Sequence, residues 1–207
     1  YYNNPSAVDG QDAINVWDSN FASVYHMAQS PSGTAPQMID SKNHLNMTTN
    51  GSMASGQQVA GKIDGSLDFD GVNDYLTATD NALLEPTGDM TLSVWIRPEV
   101  VDSAINQIIY KNHSGTPWRS YTLSIHSDNK IDIGWLNTSQ TEYWTNHPTI
   151  LSANNWYYVT VIKSGNDLSV YLNASKGNSV TTSGTLFNAD SSLVVGSDSD
   201  TEHFDCL

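Results

Sequence analysis

Beyond residue 66, apolar and polar residues alternate with a period of two along most of the chain. Residues 90–97 (MTLSVWIR) put Leu92, Val94 and Ile96 on one side of an extended backbone and Thr91, Ser93 and Trp95 on the other. This is the pattern of a half-buried antiparallel strand. Similar segments follow at 107–111, 121–126, 130–136 and 142–145. Residues 156–163 and 168–172 form the strongest pair, with Ser164-Gly165-Asn166-Asp167 supplying hairpin turn chemistry between them. Residues 193–196 read as a short late strand. Many short strands, with Gly, Asn, Asp or Pro at most breaks, predict an all-β, two-sheet antiparallel sandwich or jelly roll. The only helical expectation is a single turn at 80–84 after an Asp80 cap. Within the less regular first 65 residues, 21–27 is β-like, and 29–34 and 48–58 read as Gly/Ser-rich loops. Residues 1–11 read as a linker or the tail of a preceding domain, and residues 12–207 as one domain.

Charge narrows the partners. Eight Lys and Arg stand against 22 Asp and Glu, for a net charge of −14. An affinity for phosphate backbones comes from basic residues, so nucleic acid is excluded as a partner. An anionic membrane surface is disfavoured for the same reason. Mean hydropathy is −0.38. No apolar run approaches the ~18 residues a spanning helix needs. The chain is rich in Ser, Thr, Asn, Asp and Gly and has only four glutamates, Glu85, Glu99, Glu142 and Glu202. That balance favours turns over helices and reads as extracellular or cell-surface. The chain opens on Tyr1 with no apolar leader, so we expect a piece of a longer exported polypeptide. The single cysteine, Cys206, allows no intrachain disulfide.

Four segments, in order, resemble one family. They are GKIDGSLDFDGVNDYL at 61–76, MTLSVWIRPE at 90–99, NNWYYVTVIKSGNDLSVYLNASKG at 154–177 and LVVGSDSDTEHFDCL at 193–207. Together they resemble laminin G-like jelly-roll domains of the concanavalin A-like lectin/glucanase superfamily. Residues 16–29 (VWDSNFASVYHMAQ) are similar to the opening of such modules in bacterial or archaeal surface proteins. The resemblance implies core positions for Trp17, Trp95 and Trp156, and other domains of the same parent chain as partners. The family has Gly where Cys206 stands and continues into a closing strand, so a C-terminally truncated domain lacking that strand is expected. The superfamily includes lectins, hydrolases, lyases and adhesion modules, so function has to be argued from sites.

Glycoside hydrolysis needs two carboxyls about 5–10 Å apart, and the superfamily's glucanases place two Glu on one strand face. No such triplet occurs here, and the glutamates read as solvent-facing. An Asp128/Asp132 pair is conceivable without supporting context. No G-x-S-x-G elbow is present, and the six histidines lack zinc-ligand spacing. Calcium wants six to eight hard oxygens. Asp68, Asp70, Asn73 and Asp74 crowd one strand-to-loop segment and are the candidate ligands for a structural Ca2+. The competing reading is a turn whose carboxylates satisfy their own backbone. Sugar recognition uses flat rings flanked by polar groups. Tyr110, Trp118, Arg119, Tyr143 and Trp144 are the candidate glycan-binding residues. Tyr143 and Trp144 must face opposite sides, so only one of them lines a surface, whereas Trp135 shares a side with Ile131 and Ile133 and reads as core. The expectation is a non-catalytic carbohydrate-binding or adhesion module with a polysaccharide or glycan partner. A hydrolase or lyase on the same fold and a ligand-free spacer are the alternatives.

Overall fold

The computed structural model describes residues 12–102, 104–112, 119–198 and 202–206. The strands are β1 (Thr48–Asn50), β2 (Gln58–Ala60), β3 (Gly65–Leu67), β4 (Phe69–Asp70), β5 (Tyr75–Ala78), β6 (Met90–Ile96), β7 (Asn106–Asn112) and β8 (Arg119–Ile125). They continue with β9 (Ile131–Leu136), β10 (Glu142–Asn146), β11 (Tyr157–Ser164), β12 (Asp167–Leu172), β13 (Ser175–Thr181), β14 (Leu193–Val195) and β15 (Asp205–Cys206). Two antiparallel sheets result: a seven-stranded sheet in the order β1-β5-β14-β7-β8-β9-β10 and a four-stranded sheet in the order β13-β12-β11-β6. β2 pairs with β3, and β15 pairs with β4. The Glu99 N–H donates to Asp205 O at 3.0 Å, so β15 continues the pairing beyond the end of β6.

The alternating residues read from the sequence meet between the sheets. Tyr121, Leu123 and Ile125 of β8 and Ile131, Ile133 and Trp135 of β9 come from the larger sheet. Ile96, Val159, Val161, Leu168, Val170 and Leu172 come from the smaller one. Trp135 is therefore core, as its period-two companions require. The β11–β12 hairpin has Ser164 opposite Asp167, leaving Gly165 and Asn166 as its loop, with Gly165 at φ +53°. That φ suits glycine because it has no Cβ to clash.

Several local expectations are corrected. Residues 21–27 join no ladder; the Asp40 carboxylate accepts from the Val24 N–H at 2.8 Å, so a side chain takes the place of a neighbouring strand. Residues 48–58 contain β1 and a 3-10 turn at Ser55–Gln57. The turn at Ala82–Leu84 is capped by Asn81, which accepts from the Leu83 N–H at 3.0 Å, and not by Asp80. The one α-helical turn among the described residues, α1 (Ala13–Val16), follows an Asp12 cap. β13 reads SKGNSVT and has no apolar alternation to betray it. Trp17, Trp95 and Trp156 are only half-buried and lie outside the core. Trp95 sits on the outward side of β6, directly opposite Tyr158 of β11. Their rings are 5.1 Å apart at 35°, and Lys62 Nζ stands 5.8 Å from the Trp95 ring centre.

One glutamate departs sharply from the solvent-facing expectation. Glu85 is nearly buried and lies 2.9 Å from Lys111 Nζ. Lys111 is fully buried on β7, opposite Tyr121, and also reaches Asp80 at 2.6 Å and the carbonyls of Ala189 (2.6 Å) and Ser191. A buried ammonium persists only when surrounded by such acceptors.

Candidate functional site

Register brings separated residues into one line. Across β14, β7, β8, β9 and β10, Val194 pairs with Tyr110, Tyr110 with Thr122, Thr122 with Gly134, and Gly134 with Trp144. Each step is about 4.8 Å, so Tyr110 and Trp144 lie about 14 Å apart on one row. The row faces away from the core, because its neighbours Tyr143, Trp135 and Tyr121 face inward. But Val194, Tyr110, Thr122 and Gly134 are buried on that side as well, and only its Trp144 end reaches solvent. Next to it runs a second, polar row: Gln107, Ser124, Asp132 and Asn146.

Trp144 is 40% exposed. Its ring lies over Gly134, where an added Cβ would come within 2.7 Å of the indole carbons. Glycine at this position is what lets the ring lie against the sheet. The Arg119 guanidinium stands 4.9 Å from the Trp144 ring centre. Its NH2 is 3.6 Å from Glu142 Oε1, and Trp144 Nε1–H donates to Glu142 Oε2 at 3.1 Å. Arg119 also hydrogen-bonds the Tyr110 hydroxyl. Burial raises the Tyr110 pKa; Arg119 opposes that, while Asp198 and Glu202 reinforce it. Glu202 is held by Gln107, whose Nε2–H donates to Oε2 at 2.6 Å, and Gln107 Oε1 accepts from the Thr122 hydroxyl. A shallow depression is lined by Arg119, Trp135, Leu136, Glu142 and Trp144. Exposed ion pairs like Arg119–Glu142 contribute about 0–1 kcal/mol to stability, so folding alone gives little reason for the arrangement.

Of the five ring and arginine candidates, the structure gathers Tyr110, Arg119 and Trp144. Trp118 lies outside the described residues. Tyr143 is turned inward by the β10 alternation: its ring packs 5.7 Å from Trp135 and its hydroxyl meets Ser183 Oγ at 2.7 Å. Sequence reasoning missed Thr122, Gly134 and Glu142 as members of the face, because only the strand register aligns them. Glu142 on its own strand carried no recognisable signal.

The acidic segment has a different geometry. Asp70 Oδ1 accepts from the N–H groups of Val72 (2.9 Å), Asn73 (3.0 Å) and Asp74 (3.3 Å). Asp74 Oδ2 accepts from Gln57 Nε2–H and from the Asp70 N–H. Burial acts to raise the Asp70 carboxyl, but its three backbone donors outweigh that and leave it below the usual range. Burial raises Asp68, Asp74 and Asp205, and neighbouring carboxylates add to each shift. Among the described residues, no three His, Cys, Asp or Glu side chains converge as a metal-holding set. Asp70 and Asp74 thus spend carboxylate oxygens on amide donors of their own turn and of Gln57.

The four glutamates are held one by one. Glu85 is held by Lys111, Glu99 by Arg97 at 2.9 Å, Glu142 by Arg119 and Glu202 by Gln107. Asp128 is held low by its hydrogen bond from Lys130 on an exposed turn, while burial raises Asp132 within the polar row.

A laminin G family model, described as concanavalin A-like lectin/glucanases superfamily, matches residues 70–207, more than half of the chain. The chain belongs to that superfamily. A comparison with curated proteins finds no match. Among solved structures, the chain is similar to the binding domain of Paraclostridial Mosquitocidal Protein 1. That match has TM-score 0.64 and 15% identity, and covers 86% of this chain and 46% of that one. The botulinum neurotoxin serotype G binding domain gives TM-score 0.61 at 15% identity, covering 85% of this chain and 44% of that one. The receptor binding domain of botulinum neurotoxin D gives 0.60 at 15% identity, covering 91% and 49%. This chain thus spans less than half the length of each. At such identity the likeness concerns the fold alone.

Proposed function

We propose that the chain is a non-catalytic carbohydrate-binding module of an exported protein. It binds a glycan on the outward face of the seven-stranded sheet. The observation that carries this reading is the exposed Trp144 ring lying against Gly134, with Arg119 and Glu142 beside it. A pyranose has an apolar face that stacks on an indole. Arg119 and Glu142, beside the exposed ring, supply donors and acceptors for its hydroxyls. Trp144 is the platform, and Arg119 and Glu142 orient the sugar. The superfamily and the solved binding domains of similar fold support a binding role. The exposed Trp144 separates this reading from that of a spacer, whose face would be flat or filled. The four separately held glutamates favour it over a hydrolase that uses a glutamate pair.

A glycan array run with and without EDTA tests the reading. We expect at least one glycan bound, unchanged by EDTA, and lost in Trp144→Ala. An array silent for the intact chain would sink it, as would turnover of a polysaccharide abolished by substituting one carboxylate of this face. Binding that disappears in EDTA would restore a calcium at the Asp68–Asp74 turn and overturn our account of that loop.

A further inference from the structure

We infer that Glu142 sets the charge class of the ligand: this face takes uncharged saccharides and rejects those bearing uronate, sialate or sulfate groups. The inference rests on the binding reading above and specifies its ligand. Arg119 is the only Lys or Arg that the described residues place on the Trp144 row, and its charge is already answered. Glu142 Oε1 is 3.6 Å from the guanidinium, and Oε2 accepts the indole N–H at 3.1 Å, so one carboxylate holds both the cation and the stacking ring in place. An incoming anion would have to displace that carboxylate or lie beside it. The Tyr110 end is acidic too. Glu202 is fixed by Gln107 at 2.6 Å, and the Glu202 N–H donates to Asp198 Oδ1 at 3.1 Å. One carboxylate thus answers the guanidinium, and two more act on the Tyr110 hydroxyl that it bonds. Like charges within the ~8 Å screening length of physiological salt repel an acidic sugar at contact. The same carboxylates are strong acceptors for neutral hydroxyls. Elsewhere, Lys111, Lys130, Lys176 and Arg97 are bound to their own carboxylates, so no free cation is brought to this row. The chain's net charge of −14 acts in the same direction at longer range.

The test is a titration of the intact chain with neutral gluco-, galacto-, manno- and xylo-oligosaccharides and with the corresponding uronates, at low and high NaCl. We expect at least one neutral sugar to bind and its uronate to bind about tenfold more weakly or worse, with the gap shrinking as salt rises. In Glu142→Gln, which keeps an oxygen for the indole N–H, the gap should narrow to about threefold or less. Affinity for the neutral sugar should change less than that, with the melting temperature serving as a check on folding. Uronates that bind the intact chain as well as their neutral partners, or a gap unmoved by Glu142→Gln, overturn the inference while leaving glycan binding standing. Silence toward every saccharide overturns the binding reading and this inference with it.

Discussion

The two outward faces of the sandwich each carry a tryptophan with a cation nearby, yet only one presents its ring. On the four-stranded sheet, Trp95 and Tyr158 are direct cross-strand partners, and their rings cover one another 5.1 Å apart, with Lys62 standing over the indole. On the seven-stranded sheet, Trp144 is opposite Gly134, which offers no side chain to cover it, and β10 is the last strand of its sheet. Cross-strand partners decide what an outward ring is for. An aromatic partner turns the pair into packing; a glycine partner leaves a platform. The charges differ in the same sense. Arg119 is answered by Glu142, whereas the neighbourhood beyond the end of β6 gathers Asp68, Asp70, Glu99 and Asp205 around the single Arg97.

Exchanging alanine for each tryptophan gives the largest contrast. Trp144→Ala should weaken glycan binding about 30-fold, the equivalent of losing a ~2 kcal/mol contact residue, and lower stability by less than ~1 kcal/mol. Trp95→Ala should leave binding unchanged and lower stability by about 2 kcal/mol, which is roughly 5 °C in a domain of this size. Calorimetric titration and thermal melting of both variants check this, and reversed roles would erase the distinction between the faces. Gly134→Ala is a finer probe, because its Cβ would meet the Trp144 ring at 2.7 Å. The ring must lift, and binding should fall by about five- to tenfold with only a small loss in melting temperature. Unchanged affinity would show that the resting position of the ring is unimportant.

The smallest expected effect is that of pH. Asp68, Asp74 and Asp205 have raised folded pKa values, so the folded chain holds their protons more tightly than the unfolded chain does. Lowering the pH from 7 toward that raised range therefore stabilises. Asp70 and Asp128 are shifted below the ordinary 3.8, so their contribution is lost only as the pH falls through their lowered values. The melting temperature should rise by a few degrees between pH 7 and mildly acidic pH and turn down below that lower range. An Asp68→Asn/Asp205→Asn double variant should flatten the rise. A steady fall in melting temperature from pH 7 downward would contradict this account of the cluster.

The ease of reading each element from the sequence follows its physics. β6, β8, β9, β11 and β12 announce themselves because their core-facing side is apolar and period two writes that side into the sequence. β13 has no buried side to write; the pairing of Asp167 with Thr181 and of Leu172 with Ser175 places it. Alternation correctly assigned Trp95 and Trp135 to opposite kinds of side, but family position then drew Trp95 into the core. The proposed face was half legible. Tyr110, Arg119 and Trp144 stood out by type, while Gly134 and Glu142 acquire meaning only from the register that sets them beside the ring. The inward position of Lys111 was illegible, because its acceptors come from residues 31 and about 80 positions away.

That lysine ties distant loops into one opening event. Its ammonium is shared by Asp80 and Glu85 on one crossing and by the carbonyls of Ala189 and Ser191 on another. Neither crossing can lift away without leaving a buried cation short of oxygens. Amides in the two stretches should therefore exchange with solvent together, as a single cooperative patch beside the core.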